Sequence, residues 1–179
     1  EELNANLDDV EFEFSPSDAR YNNTLFQAQL TGGSTAMADS YMQYRKAGAA
    51  ARTVLLAAAA QTWGVPVEEL TLDNGTISGA GQMGYIGEFV EAAAKMELPQ
   101  EPVLKDPSEF RVIGNPDTMR KDTPSKINGS AKFGMDVMLP NQIVAVVIRP
   151  PQFGATLTSF DAGAAQSLRG FVDAKARPN

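Results

Sequence analysis

The residues with the clearest potential for chemistry form a short polar run, Thr31 to Thr35, with the sequence Thr-Gly-Gly-Ser-Thr. This run leads into a long Ala-rich segment that predicts a helix ending near Trp63. The N-terminus of a helix offers unpaired N–H groups and the positive end of the helix dipole, so the run could bind an anion such as a phosphate. The alternative is an ordinary N-cap, in which Ser34 or Thr35 accepts the first N–H groups and the glycines only form the turn. The local sequence alone favours the N-cap, because short Gly-rich loops before helices are common.

The chain contains no Cys and no His. This excludes disulfides, Cys/His zinc sites, Ser-His-Asp triads and Cys nucleophiles within the chain. Chemistry would therefore depend on carboxylates, Lys, Tyr, or a cofactor held by backbone and hydroxyl groups. We predict no metal site and no catalytic residue in these 179 residues.

Hydrophobic residues make up 43% of the chain and charged residues 21%, a mixture typical of folded globular proteins. The net charge of −7 argues against nucleic-acid binding, which depends on a basic surface. No apolar run approaches the roughly 20 residues that span a bilayer. The chain opens with Glu-Glu-Leu rather than with Met or a basic signal region, so we expect an excised piece. Its start leaves a periplasmic, membrane-associated or cytoplasmic location open.

The elements that must position the polar run begin with the Ala-rich helix. Residues at helical spacing predict one buried stripe along it, made of Met37, Tyr41, Tyr44, Gly48, Ala51, Leu55 and Ala58. We interpret the two tyrosines as packing residues rather than catalytic ones. Arg45 is expected to be solvated, paired, or facing an anion. The helix should stop near Trp63, with Gly64 as the C′ residue and Pro66 just after it.

Shorter patterns flank this helix. Alternating apolar and polar residues predict a strand at 10–14. Residues 70–78 predict a hairpin with Asn-Gly at its turn, and residues 79–84 a loop. Residues 86–96 predict a second helix, whose apolar face comprises Ile86, Phe89, Val90, Ala93 and Ala94.

The character of the chain changes at residues 99–126, where five prolines lie among charged residues. This composition predicts an extended linker, with a short strand at 110–113. We place one structural unit at 1–98 and a second at 127–179. The expected fold class is α+β, with helices and a few short strands before the linker and a small β-rich unit after it.

The last part of the chain is richer in β signals. Residues 143–148, Ile-Val-Ala-Val-Val-Ile, are apolar on both faces and predict a central strand. Residues 156–160 predict a further strand. Asp161 is placed to cap a short helix at 162–168, which Gly170 would close.

Several blocks follow one another in a distinctive order: Thr31–Thr35, residues 44–52 (Tyr-Arg-Lys-Ala-Gly-Ala-Ala-Ala-Arg), residues 104–107 (Leu-Lys-Asp-Pro), residues 126–136 (Lys-Ile-Asn-Gly-Ser-Ala-Lys-Phe-Gly-Met-Asp) and residues 149–151 (Arg-Pro-Pro). In this order they resemble the molybdopterin-binding large subunit of the xanthine dehydrogenase/aldehyde oxidase family, and especially its isoquinoline 1-oxidoreductase β-subunit type. The first two blocks are similar to the family's second cofactor-facing loop and its helix. The last two are similar to its α/β hammerhead domain.

The resemblance implies a molybdenum ion on a pyranopterin (molybdopterin), often carried as the cytosine dinucleotide, in a bacterial protein. The implied reaction is oxidative hydroxylation of an aldehyde or N-heterocycle carbon, with water as the oxygen source. Electrons would leave through an iron–sulfur small subunit, with a cytochrome as a candidate acceptor in the full complex. The implied cofactor-binding residues, through backbone N–H groups and hydroxyls, are Thr31, Gly32, Gly33, Ser34 and Thr35.

Two functional parts of the family have no counterpart in this chain, its Gly-Gln-Gly cofactor loop and its catalytic glutamate. None of the glutamates here lies in a matching motif. We therefore expect the isolated fragment to be catalytically inactive and free of cofactor, contributing at most part of a cofactor wall.

Two other functions compete with this interpretation. The first is a non-enzymatic structural or subunit-interaction module, which the hammerhead-like part fits best. The second is a stand-alone nucleotide-phosphate-binding domain, but neither a downstream Gly-Lys-Ser/Thr nor a strand-linked Gly-x-Gly-x-x-Gly supports it.

Overall fold

The computed structural model describes residues 1–177 and divides the chain into two compact units. The first unit runs from Glu1 to Lys121, and the second begins at Asp122. Helices occur together with one three-stranded antiparallel sheet, which confirms the α+β class at this level.

The finer assignment of domains stays a prediction. It places a partial molybdopterin-binding domain at 1–98, a linker at 99–126 and a hammerhead-like domain at 127–179.

The first unit is built on helix α1, Ala36–Trp63. Ala-rich sequence favours this helix because Ala has the highest intrinsic helix propensity. Gly64 ends it in a left-handed conformation, with φ of +67°, and donates its N–H to the carbonyl of Ala60. Both the helix and its Gly64 terminus are confirmed.

Among residues 1–177, no helix is long and apolar enough to cross a membrane.

The buried stripe predicted along α1 is correct only in the C-terminal half of the helix. Leu55 and Ala58 are buried, but the Met37 and Tyr44 side chains are 74% and 76% exposed. The buried face consists of Ala49, Val54, Leu55, Ala58, Ala59 and Ala60. The prediction failed at the N-terminal half because the sheet packs only against the other end of the helix.

The sheet contains β1 (Leu70–Asp73), β2 (Thr76–Gly79) and β3 (Gln82–Tyr85), paired in that order. Asn74 and Gly75 connect the first two strands with φ of +46° and +74°, as a tight Asn-Gly hairpin requires. The predicted hairpin is therefore confirmed.

The loop predicted at 79–84 is wrong, because these residues form the end of β2, a two-residue turn and most of β3. Gly84 in β3 is buried opposite Ile77. A Cβ atom on Gly84 would lie 2.9 Å from the Phe89 ring and 3.2 Å from the Trp63 ring. The glycine that made this stretch resemble a loop is thus required by close packing inside the core.

The core of the first unit lies between the C-terminal half of α1 and the sheet. Leu70, Leu72 and Ile77 present the buried face of the hairpin. Phe89 closes it, with its ring edge-to-face against Trp63 at 5.1 Å between ring centroids. Such a pair adds about 1 kcal/mol to the free energy gained by burying the rings.

The second predicted helix, 86–96, is shorter than expected. A 3₁₀ turn at Ile86–Phe89 continues into α2, Val90–Ala93. Of the predicted apolar face, Phe89 and Ala93 are buried, whereas Val90 is 52% exposed. Only the part that touches the sheet and α1 is buried.

The strand predicted at 10–14 is also wrong. This stretch pairs with no strand among residues 1–177, and its Phe12 and Phe14 side chains are 52% and 74% exposed. The two rings pack on each other, edge-to-face at 5.7 Å between ring centroids. Alternation specifies which face of a strand could be buried, but it does not supply the neighbouring strand.

Residues 110–113 form no strand either, for a specific reason. The N–H groups of Arg111, Val112 and Ile113 donate to the Glu1 carboxylate, at distances of 2.8–3.1 Å. The donors that a neighbouring strand would need are therefore already used. Lys105 adds an ion pair to Glu1, at 3.5 Å between its Nζ and Oε1.

Glu2 holds the same segment to α1. Its side chain is 2% exposed and pairs with Arg45 at 2.7 Å and with Arg52 at 3.2 Å. The two guanidinium groups also donate to the carbonyls of Lys105 and Val103, at 2.6 and 2.7 Å. Of the three environments expected for Arg45, the structure therefore shows the paired one. Its guanidinium is bound to Glu2 and Lys105 rather than directed at a ligand anion.

A third contact closes the first unit at its other end. The Lys121 ammonium donates to the carbonyls of Leu7, Asp8 and Val10. The last residue of the unit is therefore bound to its first ten.

The second unit contains α3 (Thr123–Ile127) and α4 (Gly163–Gln166). Asp161 accepts the N–H of Gly163 at 2.7 Å, but the N-cap residue of α4 is Ala162 rather than Asp161, and α4 is shorter than the predicted helix. The strands predicted at 143–148 and 156–160 are wrong, since no residue from 122 to 177 lies in a strand.

The cause of this second failure is the absence of a pairing partner. Val144 and Ile148 are 87% and 93% exposed, so the most apolar run of the chain is not buried within its own unit. A strand that is apolar on both faces needs neighbours on both sides, and nothing among residues 122–177 provides them.

We predict that Phe89→Ala destabilises the first unit by about 3–5 kcal/mol, because it leaves a cavity between α1 and the sheet. Urea unfolding of the chain, followed by tryptophan fluorescence of Trp63, measures the change. Val90→Ala, at the exposed neighbouring position, should cost less than about 1 kcal/mol. Equal losses for the two variants would contradict this description of the core.

The Glu1 contacts predict a pH dependence. Burial by itself would raise the pKa of Glu1, but the N–H groups of Ile113, Val112 and Arg111 outweigh it and lower the pKa to about 2. A lowered carboxyl pKa stabilises the fold above the unfolded-state pKa, near 4.5, and this contribution disappears as the pH falls towards 2.

We therefore expect Glu1→Gln to have a lower free energy of unfolding than the unmodified chain. The difference between the two should be largest at pH 6 and should disappear towards pH 2. Urea unfolding at several pH values measures it. Glu13→Gln, at an exposed position, serves as the control and should show a small gap at every pH. A Glu1→Gln gap that does not change with pH would contradict the assignment.

Candidate cofactor-binding loop

The polar run forms a tight loop immediately before α1. Gly33 and Ser34 both have left-handed backbone conformations, with φ of +61° and +54°. A left-handed residue other than glycine is uncommon, so Ser34 is held there by its surroundings. The Thr35 N–H donates to the carbonyl of Gly32 at 3.4 Å, which closes the turn. The loop is exposed except at Thr35, which is half-buried.

The start of α1 is not capped by a side chain. Thr35 is the N-cap residue, but no side-chain hydrogen bond of the capping type is formed. Its hydroxyl instead donates to the Gly32 carbonyl at 3.2 Å. As a result, five backbone N–H groups at this end of the helix have no acceptor among the described residues. They belong to Gly33, Ser34, Ala36, Met37 and Ala38.

A second turn supports this loop from one side. Residues 22–28, here called the Asn23 turn, are closed by a bridge between Asn23 and Ala28. Asn23 is 8% exposed, and its side-chain amide donates to the Thr35 hydroxyl at 3.2 Å. The Phe26 ring lies 3.4 Å from the position that a Cβ on Gly33 would take.

Asp39, in the first turn of α1, makes the second connection between the two turns. Its carboxylate accepts the N–H of Thr24 at 3.2 Å and also accepts the Thr24 hydroxyl. This hydroxyl is the main reason why the pKa of Asp39 lies below its ordinary value. The carboxylate is thus ionised at neutral pH and committed to Thr24.

An open cleft borders the loop and the first two turns of α1. Its lining is mostly hydroxyl and amide side chains, and it includes Ser15, Ser17, Tyr21, Gln29, Ser40 and Tyr44. These side chains offer neutral hydrogen-bond donors and acceptors, and the ionised Asp39 carboxylate also lines the cleft. No group of three potential metal ligands occurs among residues 1–177.

The sequence brought attention to 31–35 but not to Asn23 or Asp39. Residues 22–24, Asn-Asn-Thr, have the form of a glycosylation sequon but predict a turn, which is what they form. A turn signal carries no information about which distant residue its side chains will contact. The spacing of Thr24 and Asp39 gave no signal of their pairing.

The chain is similar to three curated bacterial proteins. It is 31% identical to the beta chain of isoquinoline 1-oxidoreductase from Brevundimonas diminuta, over 95% of this chain and 26% of the relative. It is 31% identical to one of the subunits of nicotinate dehydrogenase from Pseudomonas putida, over 86% of this chain and 13% of the relative. It is 27% identical to the membrane-bound aldehyde dehydrogenase [pyrroloquinoline-quinone] of Gluconacetobacter polyoxogenes, over 96% of this chain and 22% of the relative. No protein-family model matches the chain.

All three relatives are oxidoreductases, and the similarity to each extends over most of this chain. Within that class, the chain belongs to the molybdopterin-binding large subunits of the xanthine dehydrogenase/aldehyde oxidase family, of the isoquinoline 1-oxidoreductase β-subunit type. The resemblance found in the sequence is thereby confirmed. The chain spans about a quarter or less of each relative's length.

Proposed function

We propose that this chain is part of the large subunit of a molybdenum-dependent oxidoreductase that hydroxylates an aldehyde or an N-heterocycle, with water as the oxygen source. The names of the relatives support this substrate class, since they refer to an aldehyde, to isoquinoline and to nicotinate. In this proposal the chain contributes one wall of the cofactor site, at Thr31–Thr35, and no catalytic residue.

The observation that carries the proposal is the set of unpaired N–H groups at Gly33, Ser34 and the start of α1. An oxyanion of the cofactor, such as a phosphate, is an acceptor suited to these donors and to the positive end of the α1 dipole. The adjoining cleft is lined mostly by neutral hydroxyl and amide groups, and its one carboxylate, that of Asp39, accepts the N–H and hydroxyl of Thr24. The fit to an oxyanion therefore comes from the backbone donors alone, since none of the described Lys or Arg side chains lines the cleft.

The molybdenum centre on its pterin, when bound, supplies the redox chemistry of the hydroxylation. The role of this chain's own residues is to bind and orient. Gly32, Gly33 and Ser34 would donate backbone N–H groups, and the hydroxyls of Thr31 and Ser34 would add further donors. The Thr35 hydroxyl already donates to the Gly32 carbonyl, so Thr35 would contribute by shaping the loop. The family's cytosine dinucleotide form is part of this proposal.

The relatives' names also bear on the partners of this chain. Two of the three are named as subunits, which supports assembly into a complex. We propose an iron–sulfur small subunit as the electron-transfer partner and a cytochrome as a candidate acceptor. The remaining relative is called membrane-bound. We therefore propose a membrane-associated or periplasmic complex as an alternative to a cytoplasmic one.

Two observations favour other functions. One relative's name specifies pyrroloquinoline quinone, so the loop is also a candidate for binding that anionic quinone. In the second unit, residues 143–148 are exposed although strongly apolar, which favours a structural or subunit-interaction module there.

We predict that Gly33→Val, introduced into the subunit that carries this chain, strongly lowers the bound cofactor. A β-branched side chain is strained at φ of +61°, so the backbone of the loop must change shape even though its Cβ would be in ordinary contact with Phe26. Molybdenum content by elemental analysis and pterin content by fluorescence after oxidation measure the effect. Quinone is assayed in the same samples.

The matched control is Gly64→Val, at the opposite end of α1. It imposes similar strain, at φ of +67° and with nothing within 4 Å of the new Cβ, but lies outside the loop. We expect it to retain molybdenum. Unchanged molybdenum in Gly33→Val, or equal loss of molybdenum in both variants, would reject the role of the loop. If the unmodified subunit contains quinone and no molybdenum, the quinone rather than molybdopterin is the cofactor.

The isolated 179-residue chain should not oxidise an aldehyde or an N-heterocycle with an artificial electron acceptor, because it contains no counterpart of the family's catalytic glutamate. Dye reduction with acetaldehyde and with isoquinoline tests this expectation. Turnover above that of a heat-inactivated sample would contradict it.

A further inference from the structure

The chain contains two Asn-Gly dipeptides, Asn74-Gly75 and Asn128-Gly129. This dipeptide is chemically labile, because glycine has no Cβ to hinder the approach of its backbone nitrogen to the side-chain amide of the preceding asparagine. The approach also requires the backbone between the two residues to rotate, so the surrounding structure controls it. By sequence alone the two dipeptides are equivalent, but their surroundings differ.

The first dipeptide is held closed. Asn74 and Gly75 form the turn between β1 and β2, and Gly75 is buried. The Gly75 carbonyl accepts the N–H of Ile86 at 2.9 Å, and the Tyr85 ring lies 2.9 Å from the position of a Cβ on Gly75. The backbone of this turn can therefore rotate only if the hairpin opens away from the core, which costs free energy.

The second dipeptide lies open at the end of α3. Asn128 and Gly129 are both exposed, and no atom lies within 4 Å of the position of a Cβ on Gly129. Two backbone bonds close this end of the helix, from Asn128 to the Pro124 carbonyl at 3.2 Å and from Ala131 to the Ser125 carbonyl at 2.9 Å. Because α3 has only five residues and none of them is buried, its last turn opens at little cost.

A backbone donor is already directed at the Asn128 side chain. The Ser130 N–H donates to Oδ1 of Asn128 at 2.9 Å. Negative charge develops on this oxygen when a nucleophile attacks the side-chain amide, and a donor held there lowers the barrier. No comparable contact involves the Asn74 side chain among residues 1–177.

Two other asparagines have the same kind of donor but lack the glycine. The side-chain oxygens of Asn6 and Asn115 each accept the N–H two residues further on, at 3.1 and 2.9 Å. Leu7 follows the first and hinders its own nitrogen, and Pro116 follows the second and has no N–H. Of the four asparagines compared, Asn128 alone combines a following glycine, exposure and a donor on its side-chain oxygen.

We propose that Asn128 is a site of spontaneous deamidation in the folded protein, promoted by its exposure and by the Ser130 N–H. Hydroxide removes the proton of the Gly129 nitrogen, which then attacks Cγ of Asn128. A new C–N bond closes a succinimide ring, the bond from Cγ to the side-chain nitrogen breaks, and ammonia leaves. Water opens the ring to aspartate or isoaspartate. An amide and a water thus become a carboxylate and ammonium, with no oxidation or reduction.

The product differs from Asn128 in charge and in backbone. One negative charge is added to the formal charge of −7. In isoaspartate the main chain runs through the former side chain and gains one carbon, so the two backbone bonds that close α3 cannot both be kept. The modification therefore loosens the start of the second unit. This inference does not depend on the cofactor role proposed for residues 31–35.

The test incubates the purified subunit that carries this chain in mildly alkaline buffer and follows the peptides around each asparagine by mass spectrometry. Chromatography separates aspartate from isoaspartate. We expect Asn128 to deamidate at least about tenfold faster than Asn74, because the hairpin must open before Asn74 can react. Asn6 and Asn115 are internal references and should remain unmodified. Equal rates at Asn128 and Asn74, or a faster reaction at Asn74, would overturn the inference.

The same incubation in concentrated urea separates the effect of the fold from that of the sequence. In the unfolded chain both dipeptides have similar backbone freedom, so their rates should lie within about threefold of each other. A tenfold difference that persists in urea would also overturn the inference, because neighbouring residue types rather than the fold would then control the rates.

Two substitutions at the next residue test the backbone donor. Ser130→Pro removes the N–H that reaches Asn128, whereas Ser130→Ala keeps it. We expect deamidation at Asn128 to be about fivefold slower in Ser130→Pro, the equivalent of one hydrogen bond, and within about twofold of normal in Ser130→Ala. An unchanged rate at Asn74 shows that the first unit is intact in each variant. Equal rates at Asn128 in the two variants would reject the role of the Ser130 N–H.

Discussion

The first unit depends on one buried carboxylate, that of Glu2. It accepts Arg45 and Arg52 from α1 and the backbone N–H of Lys105, so three distant parts of the chain meet at one side chain. A buried ion pair stabilises little by itself, because removing the charges from water is costly. Its effect here is to specify which parts meet, since any other arrangement would leave a charge buried without a partner. Gly48 permits the approach, since a Cβ there would lie 3.0 Å from that of Glu2.

Helix α1 joins this cluster to the rest of the molecule. Its C-terminal half is buried against the sheet, its middle carries the two arginines, and its N-terminal half is exposed and begins at the Gly-rich loop. The loop is thus attached to a rigid element whose other end is fixed by a hydrophobic core. This arrangement suits a binding loop, because positions on rigid elements are held more accurately than positions on free segments.

The parts of the fold that could be predicted from the sequence are those in which the signal is local. Ala-rich composition, Gly64 after a helix, and Asn-Gly between two short β segments each specify a backbone conformation within a few residues. The strands predicted at 10–14, 110–113 and 143–148 failed because a strand requires a partner that local patterns do not identify. At 110–113, for example, a glutamate more than a hundred residues away takes the N–H groups. The Gly-rich loop was recognisable from its residue types, whereas the contacts from Asn23 and Asp39 depend on the tertiary fold.

The contact of Lys121 with Leu7, Asp8 and Val10 gives the first unit the character of a closed ring. Its last residue meets residues 7–10 at one place, although more than a hundred residues separate them along the chain. Folding already includes the entropy cost of bringing these two segments together. A short covalent connection between them would therefore change the entropy of the folded state little. The order in which the segments follow one another is therefore not essential to this architecture. A chain that started at an exposed turn elsewhere, with residues 1 and 121 joined by a short linker, could reach the same fold.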